Sequence, residues 1–346
     1  MTAREVIQKR LNHEGTDITP YAIEFEEGVE DRLSEYYRDP DWKKKKLREF
    51  SCSYLHVDTQ LYNELDEVYM KDAYGALWRF DKKPWHLETP PLDEPSLDGY
   101  DFPGPDVFTK QIHDKKAEAI KKFNENNEQY RIINMGWGVF EHSWRVRGFN
   151  NALSDMITDE DFYIELTTKI ADNYVEMIRA CADIPADAFL FGDDWGEQRG
   201  IIFGPERWRK FIAPCWERIY AEVHKQEKKV IHHSCGSIAE IYDDCIAIGM
   251  DCHESVQPEA AGMAPERIKE KWGSRISFWG CLGSQGILHH GTPSEIKAEI
   301  FRLADLFKKS GGFVLAPAKP LVEDMDIKKA AAVIDAFSEL SEKEGA

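Results

Sequence analysis

Two residues of the kind that bind soft metal ions lie at the end of a buried strand. The stretch Lys-Val-Ile-His-His-Ser-Cys-Gly-Ser begins at Lys229, and its pattern predicts a strand over residues 229–234. Because side chains alternate along a strand, His233 and Cys235 point to the same face. An imidazole and a thiolate there are ligands for zinc, and Cys281, at the end of a later predicted strand, could complete a His/Cys/Cys set. The alternative reading is a packed strand end with small buried side chains.

Three carboxylates follow the preceding predicted strand, residues 188–192. They are Asp193, Asp194 and Glu197, within the sequence Gly-Asp-Asp-Trp-Gly-Glu-Gln. Carboxylates at a strand end can act as general acids or bases, or as metal ligands. For one of the two aspartates, the alternative is that it caps a helix or orders the loop.

Aromatic and amide side chains accompany these polar groups. The indoles of three tryptophans could wall a pocket for a flat substrate, although ordinary packing is an equal alternative for any one of them. His253 and Glu254 alternate along a strand, so only one of them can face the same interior. We expect the substrate to be bound by Trp137, Trp195, Gln198, Glu254, Gln257 and Trp279.

Short apolar strands alternate with amphipathic helices along most of the chain, which predicts parallel strands joined by right-handed crossovers. The predicted strands cover residues 18–25, 50–57, 131–137, 188–192, 229–234, 250–256, 276–279 and 312–316. The predicted helices between 107 and 343 cover residues 107–126, 148–156, 159–182, 205–227, 238–248, 264–272, 293–309 and 326–343. Eight strands favour a closed (β/α)8 barrel over an open sheet. Residues 69–105, rich in Trp and Pro, predict a small β-meander inserted into this single domain, which spans residues 1–346.

Charge and composition exclude several classes of partner. The 346 residues include 44 Lys and Arg against 63 Asp and Glu, a net charge of −19. Such a surface repels nucleic acid and anionic lipid, so we expect neither as a partner. No apolar run of ~18 residues predicts a membrane span. The charged first residues and the irregular spacing of the seven cysteines lead us to expect a reducing, cytoplasmic location.

Several stretches resemble the uroporphyrinogen decarboxylase superfamily, and within it the branch of corrinoid-dependent methyltransferases. They are residues 10–14, 192–200, 233–237, 256–263, 278–280 and 311–317. The resemblance covers nearly the whole chain in the same order and implies a (β/α)8 barrel. The decarboxylases of this superfamily hold the carboxylates of their substrate with arginines near the N-terminus. Residues 18–27 here read Ile-Thr-Pro-Tyr-Ala-Ile-Glu-Phe-Glu-Glu, and these acids disfavour porphyrinogen decarboxylation.

The resemblance also bears on a metal. His233 and Cys235 match two zinc ligands of the corrinoid-linked methyltransferases, whereas the later cysteine of that set falls at Lys319. The residues that could replace it are Cys281, Asp194, Glu197 and Glu254.

The resemblance implies methyl transfer (EC 2.1.1 type), and the O-demethylating enzymes are the better match. The expected reaction takes a methyl group from a small, methoxylated aromatic donor to the cobalt of a corrinoid (cobalamin) carried by a partner protein. Lys319 or an acid would protonate the leaving oxygen, so the catalytic candidates are Lys319, Asp193, Asp194 and Glu197. The alternatives are a decarboxylase of the same superfamily and a non-catalytic, small-molecule-binding barrel. A homodimer is the default assembly.

Overall fold

The structure is a computed structural model that describes residues 1–47 and 52–345. Its strands are β1 (Ser53–His56), β2 (Asn63–Glu64), β3 (Tyr69–Lys71), β4 (Leu77–Arg79), β5 (His86–Thr89), β6 (Arg131–Asn134), β7 (Ala188–Gly192), β8 (Lys229–His233), β9 (Cys252–Val256), β10 (Ser277–Leu282) and β11 (Phe313–Pro317). Its helices are α1 (Ala3–Leu11), α2 (Val29–Tyr37), α3 (Trp42–Lys46), α4 (Pro105–Glu125), α5 (Val139–Arg147), α6 (Phe149–Thr158), α7 (Glu160–Ala180), α8 (Pro205–Arg207), α9 (Ala213–Lys225), α10 (Tyr242–Ala247), α11 (Pro265–Trp272), α12 (Ile287–His290), α13 (Pro293–Phe307) and α14 (Ile327–Lys343). A π-helical turn, Trp208–Ile212, joins α8 to α9. None of these described helices is both long and apolar enough to cross a membrane.

Parallel pairing builds the predicted barrel. Seven strands pair in the order β1-β6-β7-β8-β9-β10-β11. The predicted strand over residues 18–25 is an extended segment that meets the β11 side at two parallel bridges, Tyr21 with Leu315 and Phe25 with Leu321. It fills the eighth position, so the (β/α)8 prediction is confirmed. Of the predicted strand 50–57, the first two residues lie outside the described part of the chain, and the rest contains β1.

Apolar side chains fill the barrel interior. Inward-facing residues of neighbouring strands, including Ile132, Ile231 and Trp279, form one buried cluster. Ile7 and Leu11 of α1 join this cluster from the end where the strands begin. A second and larger apolar layer separates the sheet from the surrounding helices. The strands are therefore buried on both faces, as parallel strands usually are.

The small insertion is an antiparallel sheet of β2, β3, β4 and β5. It spans residues 63–89, so it starts before the predicted 69 and ends before the predicted 105. Trp78 of β4 is buried, and the Arg145 guanidinium of α5 lies 4.7 Å from its ring centre. The insertion thus packs against the helix that follows β6.

Helix α5 was not predicted from the sequence. It begins directly after the β6 loop, with Gly138 as its N-cap and Glu141 at the third helical position. A Cβ atom on Gly138 would lie 2.5 Å from the Gly192 carbonyl oxygen and 2.6 Å from the Asp193 side chain. Only glycine therefore allows this helix to approach the end of β7 so closely.

Candidate active site

A cavity of about 390 Å³ opens at the carboxyl ends of the barrel strands. Apolar walls come from inward-facing side chains such as Tyr54, Leu190 and Ile231, and from Trp137 and Trp279. Its polar lining consists mainly of Asn134, Glu24, Glu141, Asp194, His233, Glu254, Ser255 and Lys319. This is the end of a (β/α)8 barrel where active sites are built.

Cys235 and Lys319 form a close pair beside the cavity. The Lys319 Nζ donates to the Cys235 Sγ over 2.9 Å. Burial alone would disfavour the ammonium, but the Cys235 sulfur and nearby carboxylates outweigh this effect and raise the pKa of Lys319 above its ordinary value. Lys319 is therefore an ammonium at neutral pH, and it places a positive charge against the Cys235 sulfur.

His233 joins this pair to a carboxylate on the next strand. The parallel register places His233 of β8 opposite Glu254 of β9, and their side chains share a hydrogen bond through Nδ1. The other ring nitrogen, Nε2, lies 3.4 Å from the Cys235 Sγ. Burial would lower the pKa of His233, but Glu254 and Cys235 raise it well above the ordinary value. The ring is therefore an imidazolium paired with Glu254, and a zinc ion bound at Nε2 would replace the proton of that nitrogen.

Asp194 completes a group that could hold a metal ion. One ligand atom each from Asp194, His233 and Cys235 lies within 4.8 Å of the other two. The Asp194 Oδ1 is 3.7 Å from His233 Nε2 and accepts from the Cys235 N–H at 2.8 Å. Tetrahedral zinc with bonds of ~2.0–2.3 Å separates its ligand atoms by roughly 3.3–3.7 Å, and the two separations from His233 Nε2, 3.4 Å to Cys235 Sγ and 3.7 Å to Asp194 Oδ1, match that spacing.

The neighbouring Asp193 has a different environment, although the sequence predicted both aspartates as catalytic. Its side chain is fully buried. It accepts from the backbone N–H groups of Phe140 and Glu141 at 3.1 and 2.9 Å, and from the indoles of Trp195 and Trp216 at 2.8 and 3.0 Å. Asp193 thus caps α5 and holds two tryptophans, which is the loop-ordering alternative considered for one of the pair.

Glu141 is one of the cavity residues that the sequence reasoning missed. It lines the cavity, and its side chain is largely buried. Burial, with the negative charges of Asp193 and Asp194, raises the pKa of Glu141 to about 8. Burial also raises the pKa of Asp193, to about 6. The four N–H donors to Asp193 favour its charged form, whereas burial and the mutual repulsion of the two groups favour a proton on the pair. The spacing Gly138-x-x-Glu141, typical of a helix start, is the sequence signal that could have revealed it.

The predicted aromatic residues divide into two groups. Trp137 and Trp279 line the cavity, as expected for substrate-binding walls. Trp195 does not, because it is fully buried in the outer layer and stacks on His232 with ring centres 4.2 Å apart. Tyr54, which was not predicted, supplies a further wall.

Other predicted site residues lie outside the cavity. Glu197 pairs with Arg199 at the rim, Oε1 to Nε 3.0 Å. Gln198 is exposed and donates to the Gln285 side chain at 2.9 Å. Gln257 is buried and accepts from the Gly236 N–H at 3.0 Å, so it supports the loop beyond Cys235 without lining the cavity.

Cys281 does not complete a metal site with His233 and Cys235. Regular alternation after Trp279 would turn it inward, but the register of β10 shifts at Gly280 and Cys281 has a φ of 70°. The thiol consequently lies in the apolar layer beneath the helices, fully buried, and burial raises its pKa. The third candidate ligand beside His233 and Cys235 is Asp194, one of the residues expected to replace the cysteine that is missing at position 319.

Glu24 brings a further missed carboxylate into the cavity from the eighth position of the barrel. Burial, and then the charge of Glu254, raise the pKa of Glu24. Residues 18–27 therefore do border the site, and they contribute a carboxylate where a porphyrinogen decarboxylase would need arginines.

The chain is a (β/α)8 barrel with a thiol, imidazole and carboxylates at the mouth. It belongs to the uroporphyrinogen decarboxylase (URO-D) family, whose sequence model matches residues 110–340. No curated protein sequence matches the chain significantly. Among solved structures, a methyltransferase from Methanosarcina mazei is similar over 98% of this chain and 99% of that chain, with a TM-score of 0.69 and 17% sequence identity. An endo-β-mannanase/endo-β-glucanase from Prevotella bryantii is similar over 65% of this chain and 38% of that chain, with a TM-score of 0.36 and 11% identity.

Proposed function

We propose that this protein is a methyltransferase that demethylates a small, methoxylated aromatic donor and passes the methyl group to the cobalt of a corrinoid carried by a partner protein. The observation that carries the proposal is the group Cys235, His233 and Asp194, held with Lys319 at one side of an aromatic-walled cavity. This group can bind and polarise a leaving atom, and the walls suit a flat ring.

The size and walls of the cavity support a small aromatic donor. A volume of about 390 Å³ lies at the low end of the range of ~300–1,000 Å³ typical of ligand sites. Trp137, Trp279 and Tyr54 supply flat apolar surfaces around it. A single substituted benzene ring is a better match for these dimensions than a tetrapyrrole.

The charges in the cavity argue against porphyrinogen decarboxylation. Four acidic residues line the described cavity, Glu24, Glu141, Asp194 and Glu254, with the pKa values of Glu24 and Glu141 raised by burial, and Lys319 is the one lysine or arginine among the described lining residues. A substrate with many carboxylates would be repelled, and Lys319 is already engaged by Cys235. The full-length similarity to a methyltransferase barrel is compatible with the same conclusion.

The chain's own residues would bind and orient the donor so that its methyl group faces the open mouth of the cavity. The acceptor corrinoid protein must approach from that side, because the other end of the barrel is packed by α1. Asp194, His233 and Cys235 would hold a zinc ion, which when bound supplies Lewis acidity to the leaving oxygen. His233 keeps its orientation through Glu254, and the cavity walls exclude water from the donor.

The decisive experiment combines the purified protein, a reduced corrinoid protein and a panel of methoxyarenes. We expect the absorption spectrum of the methylated corrinoid and release of the matching phenol. The variants His233→Ala and Cys235→Ser should abolish this signal, whereas Gln198→Ala, an exposed rim residue, should retain it. Absence of methylated corrinoid across the panel would refute the proposal and favour a decarboxylase or a binding protein.

Metal content provides a second and independent measurement. We expect near-stoichiometric zinc in the purified protein, and its loss in Cys235→Ser but not in Cys281→Ser, because the Cys281 thiol lies outside the site. Zinc retained by Cys235→Ser would remove Cys235 from the ligand set.

A further inference from the structure

A second cavity lies at the opposite end of the barrel, where the strands begin. Its volume is about 490 Å³, and its walls come from α1, the start of β6 and the connections that lead into β7 and β8. The charged side chains of its described lining are Arg4, Arg131, Asp187, Glu227, Lys228 and Lys229. Four of these six groups are positive, in a chain whose net charge is −19, so the cavity has a charge opposite to that of the protein as a whole.

Two guanidinium groups share one carboxylate in this cavity. Arg4 donates to Asp187 through Nε and Nη2 at 3.1 and 2.7 Å, and Arg131 donates through the same two atoms at 3.1 and 3.0 Å. Because both groups bind the same carboxylate, they lie close together and leave one positive charge unbalanced. None of the described hydrogen bonds involves Nη1 of Arg4 or Arg131, so two N–H donors remain on each.

Lys228 adds a third positive charge, and its described hydrogen bond is to a neutral group. Its Nζ donates to the Ala186 carbonyl at 2.7 Å. Burial lowers the pKa of Lys228; Asp187 opposes this effect, and the charges of Arg131 and Arg4 add to it. The three cations are therefore close enough to repel one another.

The remaining charges of the lining do not cancel this excess. Lys229 pairs with Asp251, Nζ to Oδ1 3.0 Å. Glu227 is exposed to solvent, which screens its charge. The two arginines and Lys228 carry three positive charges against the one negative charge of Asp187, which leaves an excess of two. Such an excess is unfavourable in a partly buried place unless an anion balances it.

We propose that this cavity binds a small phosphate monoester, with the phosphate between the Nη1 groups of Arg4 and Arg131 and the Lys228 ammonium. A phosphate monoester carries about −1.5 to −2 charges at neutral pH, which matches the excess of two. Guanidinium groups bind phosphate through paired N–H donors, and a lysine supports it as a point charge. The volume lies within the range of ~300–1,000 Å³ typical of small-molecule sites, so it has room for an organic group beside the phosphate. The site does not depend on the methyl transfer proposed above.

The same contacts predict how binding affects the folded protein. Arg4 belongs to α1, whose Ile7 and Leu11 pack into the barrel interior. Arg131 begins β6, and Lys228 directly precedes β8. A phosphate that contacts all three groups joins the helix to the strands in the folded state alone. Since a ligand that binds only the folded state stabilises it by mass action, the monoester should raise the unfolding temperature.

Isothermal titration calorimetry with glycerol 3-phosphate, ribose 5-phosphate and adenosine 5′-monophosphate tests the site. We expect saturable, one-to-one binding of at least one of them, and no binding of ribose, which lacks the phosphate. Arg4→Gln and Lys228→Met should each weaken binding about 10-fold or more, the effect of losing a charged hydrogen bond. Both variants should fold, because Arg131 still neutralises Asp187 and the described partner of Lys228 is a carbonyl. No binding of any monoester, or the unaltered affinity in both variants, would overturn the proposal.

The matched control is Arg209→Gln, at an arginine that also binds one aspartate through Nε and Nη2. These atoms lie 3.0 and 2.9 Å from Asp244 Oδ2, and Arg209 is not among the residues that line the cavity. The variant removes the same charge from the chain, so it should leave the affinity unaltered. An equal loss would show that the monoester is attracted by overall charge and not bound at Arg4.

A second control separates the two cavities. Lys319→Met alters the lysine of the active-site cavity, and the affinity for the monoester should not change. A loss in this variant would place the phosphate at the other end of the barrel and overturn the assignment.

Thermal unfolding provides a second readout. At about 100 times its dissociation constant, the monoester should raise the unfolding midpoint of the unaltered protein, and at the same concentration it should raise that of Arg4→Gln less. Inorganic phosphate should bind more weakly than the monoester, because it leaves much of the cavity unfilled. An unchanged midpoint would refute the site, and inorganic phosphate that binds as tightly as the monoester would refute the place for an organic group.

Discussion

Replacing Asp193 and Asp194 one at a time should separate a structural aspartate from a functional one. Asp193→Ala removes a fully buried carboxylate and leaves four N–H donors without a partner. Removing one partner of a buried charged network costs about 3–5 kcal/mol. Asp194 is only partly buried and accepts one backbone N–H, that of Cys235, so Asp194→Ala should cost about 1 kcal/mol or less.

Urea unfolding followed by tryptophan fluorescence measures this difference directly. With a slope of about 3 kcal/mol per M, Asp193→Ala should lower the urea midpoint by about 1–1.7 M. The urea midpoint of Asp193→Asn should lie between those of Asp193→Ala and the unaltered protein. The amide oxygen of the asparagine can still accept from three of the donors, whereas its NH2 group faces the fourth. A midpoint for Asp193→Ala within about 0.2 M of the unaltered protein, roughly 0.6 kcal/mol on this slope, would refute the reasoning, as would equal losses for the two alanine variants.

Three further outcomes follow from the site. Lys319→Met should tighten zinc binding at least ~10-fold in a chelator competition, because the ammonium beside the Cys235 sulfur repels a cation. The same variant should slow the alkylation of Cys235 at pH 7. Unchanged values in both measurements would contradict the interaction between Lys319 and Cys235. The unfolding free energy should fall as the pH rises from about 5 to 8, because folded Glu141, with a pKa raised to about 8, keeps a proton that the unfolded chain releases. Urea titrations of Glu141→Gln should show a smaller dependence of the unfolding free energy on pH. The same dependence in this variant as in the unaltered protein would contradict the raised pKa of Glu141. Gly138→Ala should destabilise by about 2–3 kcal/mol through its clash with the end of β7, while Gly104→Ala, also a helix N-cap but with open space around it, should cost little in the same measurement.

Strand periodicity was sufficient to predict the barrel and one side of the site. The order of strand ends placed His233, Glu254 and Lys319 on one rim, where they do line the cavity. Alternation also predicted that only one of His253 and Glu254 faces inward; Glu254, expected among the substrate-binding residues, does so, and His253 is buried outside the barrel interior. These features depend on local geometry that a single strand carries in its own sequence.

The features that were not predicted depend on contacts between distant segments or on breaks in the local pattern. Cys281 turned outward because Gly280 interrupts the alternation of β10. Trp195 lies in the outer layer, where its indole N–H donates to Asp193, and no spacing rule indicates this hydrogen bond. Glu141 was missed because the glycines at 136 and 138 read as a loop after β6, whereas Gly138 is needed for the close packing of α5 on the end of β7. The chemistry of Glu141 arises only when that helix and the β7 loop meet.

The closure of the barrel has a consequence for how the chain reaches its folded state. Residues 18–25 come early in the chain, yet they meet the side of β11 at Leu315 and Leu321, near the other end. Arg10 stabilises the contact between these two parts of the chain by donating to the carbonyls of Phe307 and Lys308. During synthesis the early segment must wait for β11, which is among the last strands to leave the ribosome, and the growing sheet has an open edge until then. Contacts that span most of the chain slow folding, so the closing step should be the slowest and the one most exposed to aggregation.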